Sequence, residues 1–424
     1  MDHHNLSPQA LLIENIGELI TMAPLAHKRL RRGSIEVDDL GIIHKAWLLL
    51  DQGKIQALGS GPTPVNLAAE QRIDAKSRLV SPGLVDCHTH PIFGGDRSDE
   101  FAMRLDGKSY QDIAAQGGGI RSTIAKTRAA SDDELQQRCL QHCKNFLAHG
   151  VTTVEAKSGY GQSPAEELRL LRILNQLKSQ TDQHLSVTCL ALHARPKEYP
   201  DQTQFIQAMI DELLPTVAKE GLAEWVDAFV EDGYFSVEDC EAYMQAARRL
   251  GLKIRIHADE FKDSHAAAAA ARWQAHSADH LEEATVEGLA AMSQQGSIAV
   301  LLPGTSLYTR LSFVQAKKMR EQRCLMAIAT DFNPGSCHID NLPMLASVAA
   351  VHCGLTVAET IAAITFIPAL ALDLEQSKGA LAPGWDADLI IHDLERKEQW
   401  LADFGRTPPS AVFIQGRQQK MEKA

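Results

Sequence analysis

Short apolar segments of strand length recur along the middle of the chain, and longer segments with helical periodicity separate them. Such an alternation is typical of βαβ units and of a parallel sheet. Segments 166–179 and 236–251 have the apolar spacing of amphipathic helices. Eight such units are the number in a TIM (β/α)8 barrel, so we predict this fold within the α/β class. The strand candidates are 83–87, 151–156, 185–192, 225–230, 253–258, 275–279, 297–302 and 325–330.

Both ends of the chain have a different pattern, in which short apolar segments alternate with turn residues. The N-terminal part is interrupted by Asp-Gln-Gly and Gly-Ser-Gly-Pro, and the C-terminal part is similar. Neither end can form a large core alone. We therefore predict that residues 1–82 and 376–424 form one composite β-sandwich domain beside a catalytic barrel of residues 83–375.

Composition limits the partners and the compartment. The net charge of −12 argues against a nucleic-acid partner, because binding to phosphates requires basic surfaces. The eight cysteines form no CxxC pair, which favours a reducing, cytoplasmic compartment. The apolar stretches are too short for a membrane span, and the N-terminus has no signal-peptide pattern. We expect a small-molecule substrate and no membrane or nucleic-acid partner, and a homodimer is left open.

Polar side chains with metal-binding or acid–base chemistry follow one predicted strand after another. In a TIM barrel the active site lies at the carboxyl ends of the strands, so these side chains should meet at one mouth. They are His88 and His90 after the first strand, His193 after the third, His257 and Glu260 at the fifth, His280 after the sixth, and Asp331 after the eighth.

The spacing of His88 and His90 suits metal binding, because residues two apart on a strand point the same way. His257 and Asp331 would complete a mixed nitrogen and oxygen site for one ion per chain, Zn²⁺ or Fe²⁺/Fe³⁺. Such an ion lowers the pKa of bound water from 15.7 to roughly 7. A two-metal site bridged by a carboxylated lysine on the fourth strand is the alternative. That strand offers Glu231 instead, which favours one metal.

Three of these residues are candidates for the acid–base steps. Asp331 could be a ligand, the base, or both, and His280 could orient or deprotonate the water. Glu260 could carry a proton to a leaving nitrogen, although an acid at this position could also be a solvated helix start.

Several longer motifs in this order resemble the imidazolonepropionase family of the amidohydrolase superfamily. The HxH pair is general to the superfamily, whereas the KSGYG and TDFNPGS segments are more specific. The resemblance extends from about Gly83 through the TDFNPGS segment, and GALAPGWDADLIIHD is similar to the usual amidohydrolase tail. The motifs are VSPGLVDCHTHPIFGGDRSDEF, GGGIRST, VEAKSGYG, IHADE, SADHL, LLPGTS and ATDFNPGS.

The resemblance implies a barrel with a composite β-sandwich and the hydrolysis of 4-imidazolone-5-propanoate to N-formimidoyl-L-glutamate in histidine degradation. It implies His88, His90, His257 and Asp331 as ligands of zinc or iron. Glu260 and His280 match the family's catalytic positions. The substrate contacts that it implies are Arg97, Tyr160, His193, Asn333, Gly335 and Ser336.

Some of these segments have a plain structural alternative. Arg97 could bind the propionate through two nitrogens, or pair with Asp96 or Asp99 on the surface. Tyr160 follows a glycine in a turn and should be more exposed than a core aromatic. The segment 331–336 could wrap the substrate with backbone N–H groups or close the barrel, and 117–123 could be a lid or a packing turn.

Two other functions remain open. The same ligand set would serve a deaminase of a nitrogen heterocycle, because that reaction also needs activated water at an sp² carbon. A barrel that binds metal without catalysis is the third hypothesis, and the presence of Glu260 and His280 beside the ligands argues against it.

Overall fold

A computed structural model describes residues 10–65, 67–108 and 118–421, and its strands form two sheets. The strands are β1 (Leu11–Leu19), β2 (Ile43–Asp51), β3 (Lys54–Ser60), β4 (Gln71–Asp74), β5 (Leu79–Pro82), β6 (Leu84–Asp86), β7 (Val151–Lys157), β8 (His184–Leu192), β9 (Trp225–Val230), β10 (Lys253–Ala258), β11 (Ser277–His280), β12 (Ile298–Leu301), β13 (Met326–Ile328), β14 (Leu389–Ile391), β15 (Ala411–Ile414) and β16 (Arg417–Gln418).

Helices follow most of the strands. A short 3₁₀ helix spans Val37–Leu40, and a π-helical turn spans Met209–Leu213. The α-helices are α1 (Ala23–Lys28), α2 (Ser98–Leu105), α3 (Ile120–Ala129), α4 (Asp132–Ala148), α5 (Pro164–Leu177), α6 (Gln202–Ala208), α7 (Leu214–Glu220), α8 (Val237–Arg249), α9 (Ala266–Trp273), α10 (Val286–Gln295), α11 (Pro303–Thr309), α12 (Ala316–Glu321), α13 (Leu342–His352), α14 (Val357–Ala363), α15 (Phe366–Ala371) and α16 (Lys397–Ala402).

The barrel consists of β6 to β13, and each strand pairs in parallel with the next along the chain. A parallel bridge between Thr89 and Phe332 joins the last strand back to the first. Next to this bridge, the Asp331 N–H donates to the His88 carbonyl at 3.0 Å. The predicted TIM barrel and all eight predicted strands are confirmed, and the barrel closes directly at the HxH motif.

The second sheet contains both ends of the chain. Its order is β16-β15-β14-β5-β1-β2-β3, and β14 from the C-terminal part pairs antiparallel with β5 from the N-terminal part. It has its own apolar cluster, with Leu48, Leu389 and Phe413 fully buried. The composite β-domain is confirmed, whereas its bounds at residues 82 and 376 stay a prediction.

Local sequence fixes where the helices around the barrel begin. Their capping side chains accept a hydrogen bond from the backbone N–H three residues later, which satisfies a group that has no partner within the helix. The predicted helices 166–179 and 236–251 are confirmed as α5 and α8. The Ser and Thr caps are Ser131, Ser163, Ser236, Thr285 and Thr356.

Two further sequence features can be compared with the structure. All eight cysteines are buried and unpaired, as expected for small apolar side chains. Within residues 10–65, 67–108 and 118–421, no helix combines the length and apolar character that crossing a bilayer requires.

Candidate active site

The three predicted histidine ligands converge at the carboxyl ends of β6 and β10. One ring nitrogen from each of His88, His90 and His257 lies within 4.8 Å of the other two. The Nε2 atoms of His90 and His257 are 3.4 Å apart. Asp331 Oδ1 lies 3.4 Å from His88 Nε2 and 3.3 Å from His90 Nε2. Ligands of a tetrahedral ion with bonds of about 2.0–2.1 Å stand about 3.3–3.4 Å apart, so this spacing suits one ion.

Two nitrogens of this cluster have unusual surroundings. His88 Nε2 and His90 Nδ1 are buried and have no hydrogen-bond partner in the described part of the chain. A buried polar atom without a partner is uncommon in folded proteins because it loses the hydrogen bonds of water. A cation would occupy the lone pair of His88 Nε2, and thus the donor set fits a divalent metal.

Two aspartates hold the other side of the histidine rings. Asp279 Oδ2 lies 2.6 Å from His88 Nδ1, and Asp227 Oδ1 lies 3.1 Å from His257 Nδ1. Both carboxylates are fully buried. A carboxylate at Nδ1 keeps the proton on that nitrogen and leaves the Nε2 lone pair for a metal. The sequence analysis missed both aspartates, although an acid inside an apolar barrel strand was the available signal.

Lys157 is the last residue of β7, the second strand of the barrel. Its Nζ lies 2.9 Å from Glu155 Oε1 and 2.8 Å from Asp227 Oδ2, and all three side chains are fully buried. Burial alone would lower the pKa of Lys157, but the charges of Asp227 and Glu155 outweigh it and raise the pKa. Carboxylation requires a neutral amine, so this ion-paired ammonium favours the one-metal site.

The predicted acid–base residues lie beside the histidines. His280 Nε2 is 3.6 Å from Glu260 Oε2. Burial lowers the pKa of His280 to about 3, against the opposing charge of Asp331. Burial and the charges of Glu282 and Asp331 raise the pKa of Glu260 well above its usual range. These pKa shifts favour a neutral imidazole at His280 next to a protonated carboxyl group at Glu260.

The backbone of this region is strained at two of the predicted residues. Asp331 has φ of +50° and His280 has φ of +82°, both in the left-handed region. A conformation of this kind costs about 1–3 kcal/mol at a residue other than glycine, and it is concentrated at functional sites. Asp331 Oδ2 also accepts a 2.5 Å hydrogen bond from Thr305 Oγ1, which fixes the carboxylate.

A cavity of about 770 Å³ opens over this cluster. A volume of this size is in the usual range for sites that bind small molecules. His90, His257, Glu260, His280 and Asp331 line it. The six predicted substrate contacts line the same cavity, and they are Arg97, Tyr160, His193, Asn333, Gly335 and Ser336.

Arg97 presents its guanidinium to this cavity. Its Nε donates to Glu100 Oε2 at 2.8 Å, so the surface pair with Asp96 or Asp99 that the sequence left open does not form. Its two terminal nitrogens donate to none of the described residues, and the side chain is 13% exposed. The edge of the guanidinium that can bind a carboxylate through two parallel hydrogen bonds therefore has no partner among the described residues.

The expected exposure of Tyr160 is wrong. The residue is 4% exposed. Its ring centroid lies 5.3 Å from that of His193 and 6.1 Å from that of His90. A glycine-flanked turn indicates backbone shape only and does not show which side chains cover the ring. The His193 ring in turn stacks on His90 at 5.4 Å, which places both predicted contacts beside the metal cluster.

Asn333 forms several hydrogen bonds within the segment 331–336. Asn333 Oδ1 accepts from the N–H groups of Gly335 and Ser336, each at 2.8 Å. Asn333 Nδ2 donates to the carbonyl of Asp331 at 2.7 Å. The N–H groups of Gly335 and Ser336 are therefore already hydrogen-bonded within the loop. Phe332 forms the bridge to Thr89 that closes the barrel.

The glycine-rich segment 117–123 falls partly outside the described residues, which exclude Gly117. In the described part, Gly119 precedes α3, and its N–H donates to Glu100 Oε1 at 3.0 Å. This bond links the start of α3 to the carboxylate that holds Arg97, as expected for a packing turn.

Comparison with known proteins agrees with this geometry. The model of the amidohydrolase family matches residues 79–418. Imidazolonepropionase of Caldanaerobacter subterraneus subsp. tengcongensis is 39% identical over 93% of this chain and 94% of its own length. Imidazolonepropionase of Treponema denticola is 41% identical over 88% of this chain and 91% of its own length.

Solved structures show the same fold at lower sequence identity. A 5-methylcytosine deaminase from Klebsiella pneumoniae is 16% identical with a TM-score of 0.73, covering 97% of this chain and 98% of its own. A variant of triazine hydrolase is 14% identical with a TM-score of 0.74, covering 97% and 94%. These similarities concern the architecture alone. The family model and the curated relatives extend over nearly the whole chain, and the chain therefore belongs to the amidohydrolase family and, within it, to the imidazolonepropionases.

Proposed function

We propose that this chain hydrolyses 4-imidazolone-5-propanoate to N-formimidoyl-L-glutamate, a step of histidine degradation. The observation that carries the proposal is the presence in one cavity of a cluster of candidate metal ligands and of Arg97, whose terminal nitrogens have no partner in the described part of the chain. The substrate has the matching parts, since it is a cyclic amide with a propionate tail.

The four side chains His88, His90, His257 and Asp331 would hold the ion, which supplies Lewis-acid activation of water and of the ring carbonyl. Arg97 binds the propionate and so fixes the ring over the cluster. Asp331 and neutral His280 can each accept a proton from water, whereas Glu260 holds one. The oxygen of that water bonds to the ring carbonyl carbon. As the C–N bond then breaks, its electron pair stays on the ring nitrogen, and Glu260 protonates that nitrogen.

The kind of metal, the cellular location and the partners are proposed on separate observations. We propose Zn²⁺ or Fe²⁺/Fe³⁺ as the ion because imidazole and carboxylate ligands suit both metals. The unpaired buried thiols support a cytoplasmic location, and the net charge of −12 supports the absence of a nucleic-acid partner. The homodimer stays a prediction, which light scattering on the purified chain would test.

An assay combined with metal analysis tests the function. Protein purified without added metal is analysed for zinc and iron, and the loss of imidazolone absorbance and the formation of N-formimidoyl-L-glutamate are followed. Aminated heterocycles are assayed for ammonia release in parallel. Turnover of the imidazolone alone supports the proposal. Ammonia release without imidazolone hydrolysis supports the deaminase alternative, and bound metal without any turnover supports a non-catalytic barrel.

Replacing Arg97 with alanine should raise the KM for the imidazolone substrate about 10- to 100-fold, because a hydrogen bond to a charged group is lost. The value of kcat should change far less, since Arg97 does not reach the reacting bond in this mechanism. Steady-state kinetics measure both. Arg172→Ala, which removes an arginine paired with Glu220 on the surface, is the matched control. An unchanged KM would exclude the carboxylate-binding role.

Replacing Asp227 with asparagine should weaken metal binding about 10- to 100-fold, because the carboxylate that orients His257 is lost. Competition with a chelator measures the affinity without reference to turnover. Asp232→Asn removes an acid that follows the same strand and is paired with exposed Lys262. Equal affinities of the two variants would argue against a role of Asp227 in orienting the ligand.

A further inference from the structure

Gly335 lies directly under the Arg97 guanidinium. A β-carbon at Gly335 would overlap Arg97 Nη1 and would lie 2.5 Å from Cζ and 3.1 Å from Nη2. The guanidinium thus occupies the space of the missing side chain. The φ angle of Gly335 is not in the left-handed region, so its backbone conformation does not require glycine. The close approach of Arg97 is the feature that does.

Arg104 fixes the other side of the same glycine. Its Nη2 donates to the Gly335 carbonyl at 3.0 Å. Its Cζ lies 4.9 Å from the ring centroid of Tyr308 and 5.6 Å from that of Phe101, so two aromatic rings hold the guanidinium. The Gly335 N–H is bonded to Asn333 Oδ1. Both the carbonyl and the N–H of Gly335 are therefore hydrogen-bonded. These two bonds hold the glycine against Arg97.

The residues around Arg97 come from one face of α2. Arg97, Glu100, Phe101 and Arg104 follow the three- and four-residue spacing of neighbours on a helix. Glu100 holds Arg97 Nε, Phe101 packs on the ring of Tyr308 at 4.8 Å, and Arg104 bonds the loop. This face joins α2 to the segment 331–336, and Arg97 is one of the residues that line the cavity.

We propose that Gly335 and Arg104 are positioning residues that orient the Arg97 guanidinium and thereby determine specificity for a substrate with a carboxylate. This inference rests on the proposed binding of the substrate carboxylate by Arg97. Gly335 leaves room for the guanidinium, and Arg104 prevents the glycine from moving away from it. The assignment gives Gly335 a role through its missing side chain.

Binding of a substrate-like acid and its amide tests the proposal. The probes are 3-(imidazol-4-yl)propanoate and the corresponding carboxamide, and their Kd values are measured by calorimetry on the metal-loaded full chain. The native chain should bind the acid about 10- to 100-fold more tightly, because only the acid pairs with Arg97. In Gly335→Ala the flexible Arg97 side chain is displaced, so acid and amide should bind almost equally while the amide retains its affinity.

Variant pairs separate positioning from direct contact. In the Arg97→Ala background, Gly335→Ala should cause no further loss of acid binding. Arg104→Met should reduce the preference for the acid, and Arg104→Lys should restore part of it through its remaining donor. Arg310→Met is the matched control, since Arg310 lines the same cavity but Arg104 is the arginine that donates to the Gly335 carbonyl, and Arg310→Met should retain most of the preference.

Three outcomes would overturn the proposal. They are an unchanged preference in Gly335→Ala, an equal loss of acid and amide binding, and a further loss when Gly335→Ala is added to Arg97→Ala. The last two would mean that Gly335 contacts the ligand itself or supports the whole site. Imidazolone turnover by the native chain is measured separately, so failure of the proposed function is distinguished from failure of the positioning role.

Discussion

Asp331→Asn is expected to lower kcat/KM about 10³-fold or more, because one substitution would remove the charge of a proposed metal ligand and a proposed proton acceptor. The fold should be retained. Asparagine adopts a φ of +50° more readily than most residues, and its oxygen can still accept the hydrogen bond of Thr305. Kinetics with metal analysis and circular dichroism check these expectations together.

The control for this change is Thr305→Val, which removes the hydrogen bond to Asp331 but retains the carboxylate. It should reduce activity far less than Asp331→Asn. If Asp331→Asn binds metal and keeps a large share of its activity, the carboxylate is neither an essential ligand nor the base. His280 would then be the remaining acceptor beside Glu260.

The sequence predicted the parts of the site that depend on chain order. His88, His90 and His257 could be assigned because each follows or ends a predicted parallel strand, and parallel strands bring their carboxyl ends together. The fold was predictable for the same reason, since the period of apolar residues changes between strand and helix along the whole barrel.

Contacts across the barrel could not be predicted in this way. Asp227 and Asp279 lie in apolar segments. Asp227 faces His257 from the neighbouring strand, whereas Asp279 faces His88 across the barrel, and neither pairing follows from chain order. Arg97 pairs with Glu100 because α2 begins at Ser98 and places residues three apart on one face. The sequence offered Asp96 and Asp99 equally, and a helix boundary within one residue was needed to decide.

The burial of Tyr160 has a similar cause. Its turn is visible in the sequence, but the rings of His90 and His193 that cover it belong to the segments that follow β6 and β8. The role proposed for Gly335 could not be predicted from the sequence either. The resemblance to the imidazolonepropionases implied only a substrate contact, whereas the structure places the Arg97 guanidinium where a side chain of residue 335 would lie.

Glu260→Gln is expected to lower kcat about 10²- to 10⁴-fold without loss of metal, because glutamine matches the shape of the acid but cannot donate a proton to the leaving nitrogen. Burial and neighbouring carboxylates raise the pKa of Glu260, so the acid form is present below that pKa and is lost as the pH rises through it. The native enzyme should therefore lose activity on the alkaline side, and this decline should be absent from the residual activity of Glu260→Gln.

Glu282→Gln provides the complementary test, since Glu282 is one of the charges that raise the pKa of Glu260. Removing it should move the alkaline decline of kcat to lower pH, because a carboxyl group with fewer anionic neighbours releases its proton more easily. Full pH–rate profiles of the native chain and both variants measure the shift. If Glu260→Gln keeps the native kcat and the native alkaline decline, Glu260 is not the proton donor, and another group must protonate the nitrogen as the ring opens.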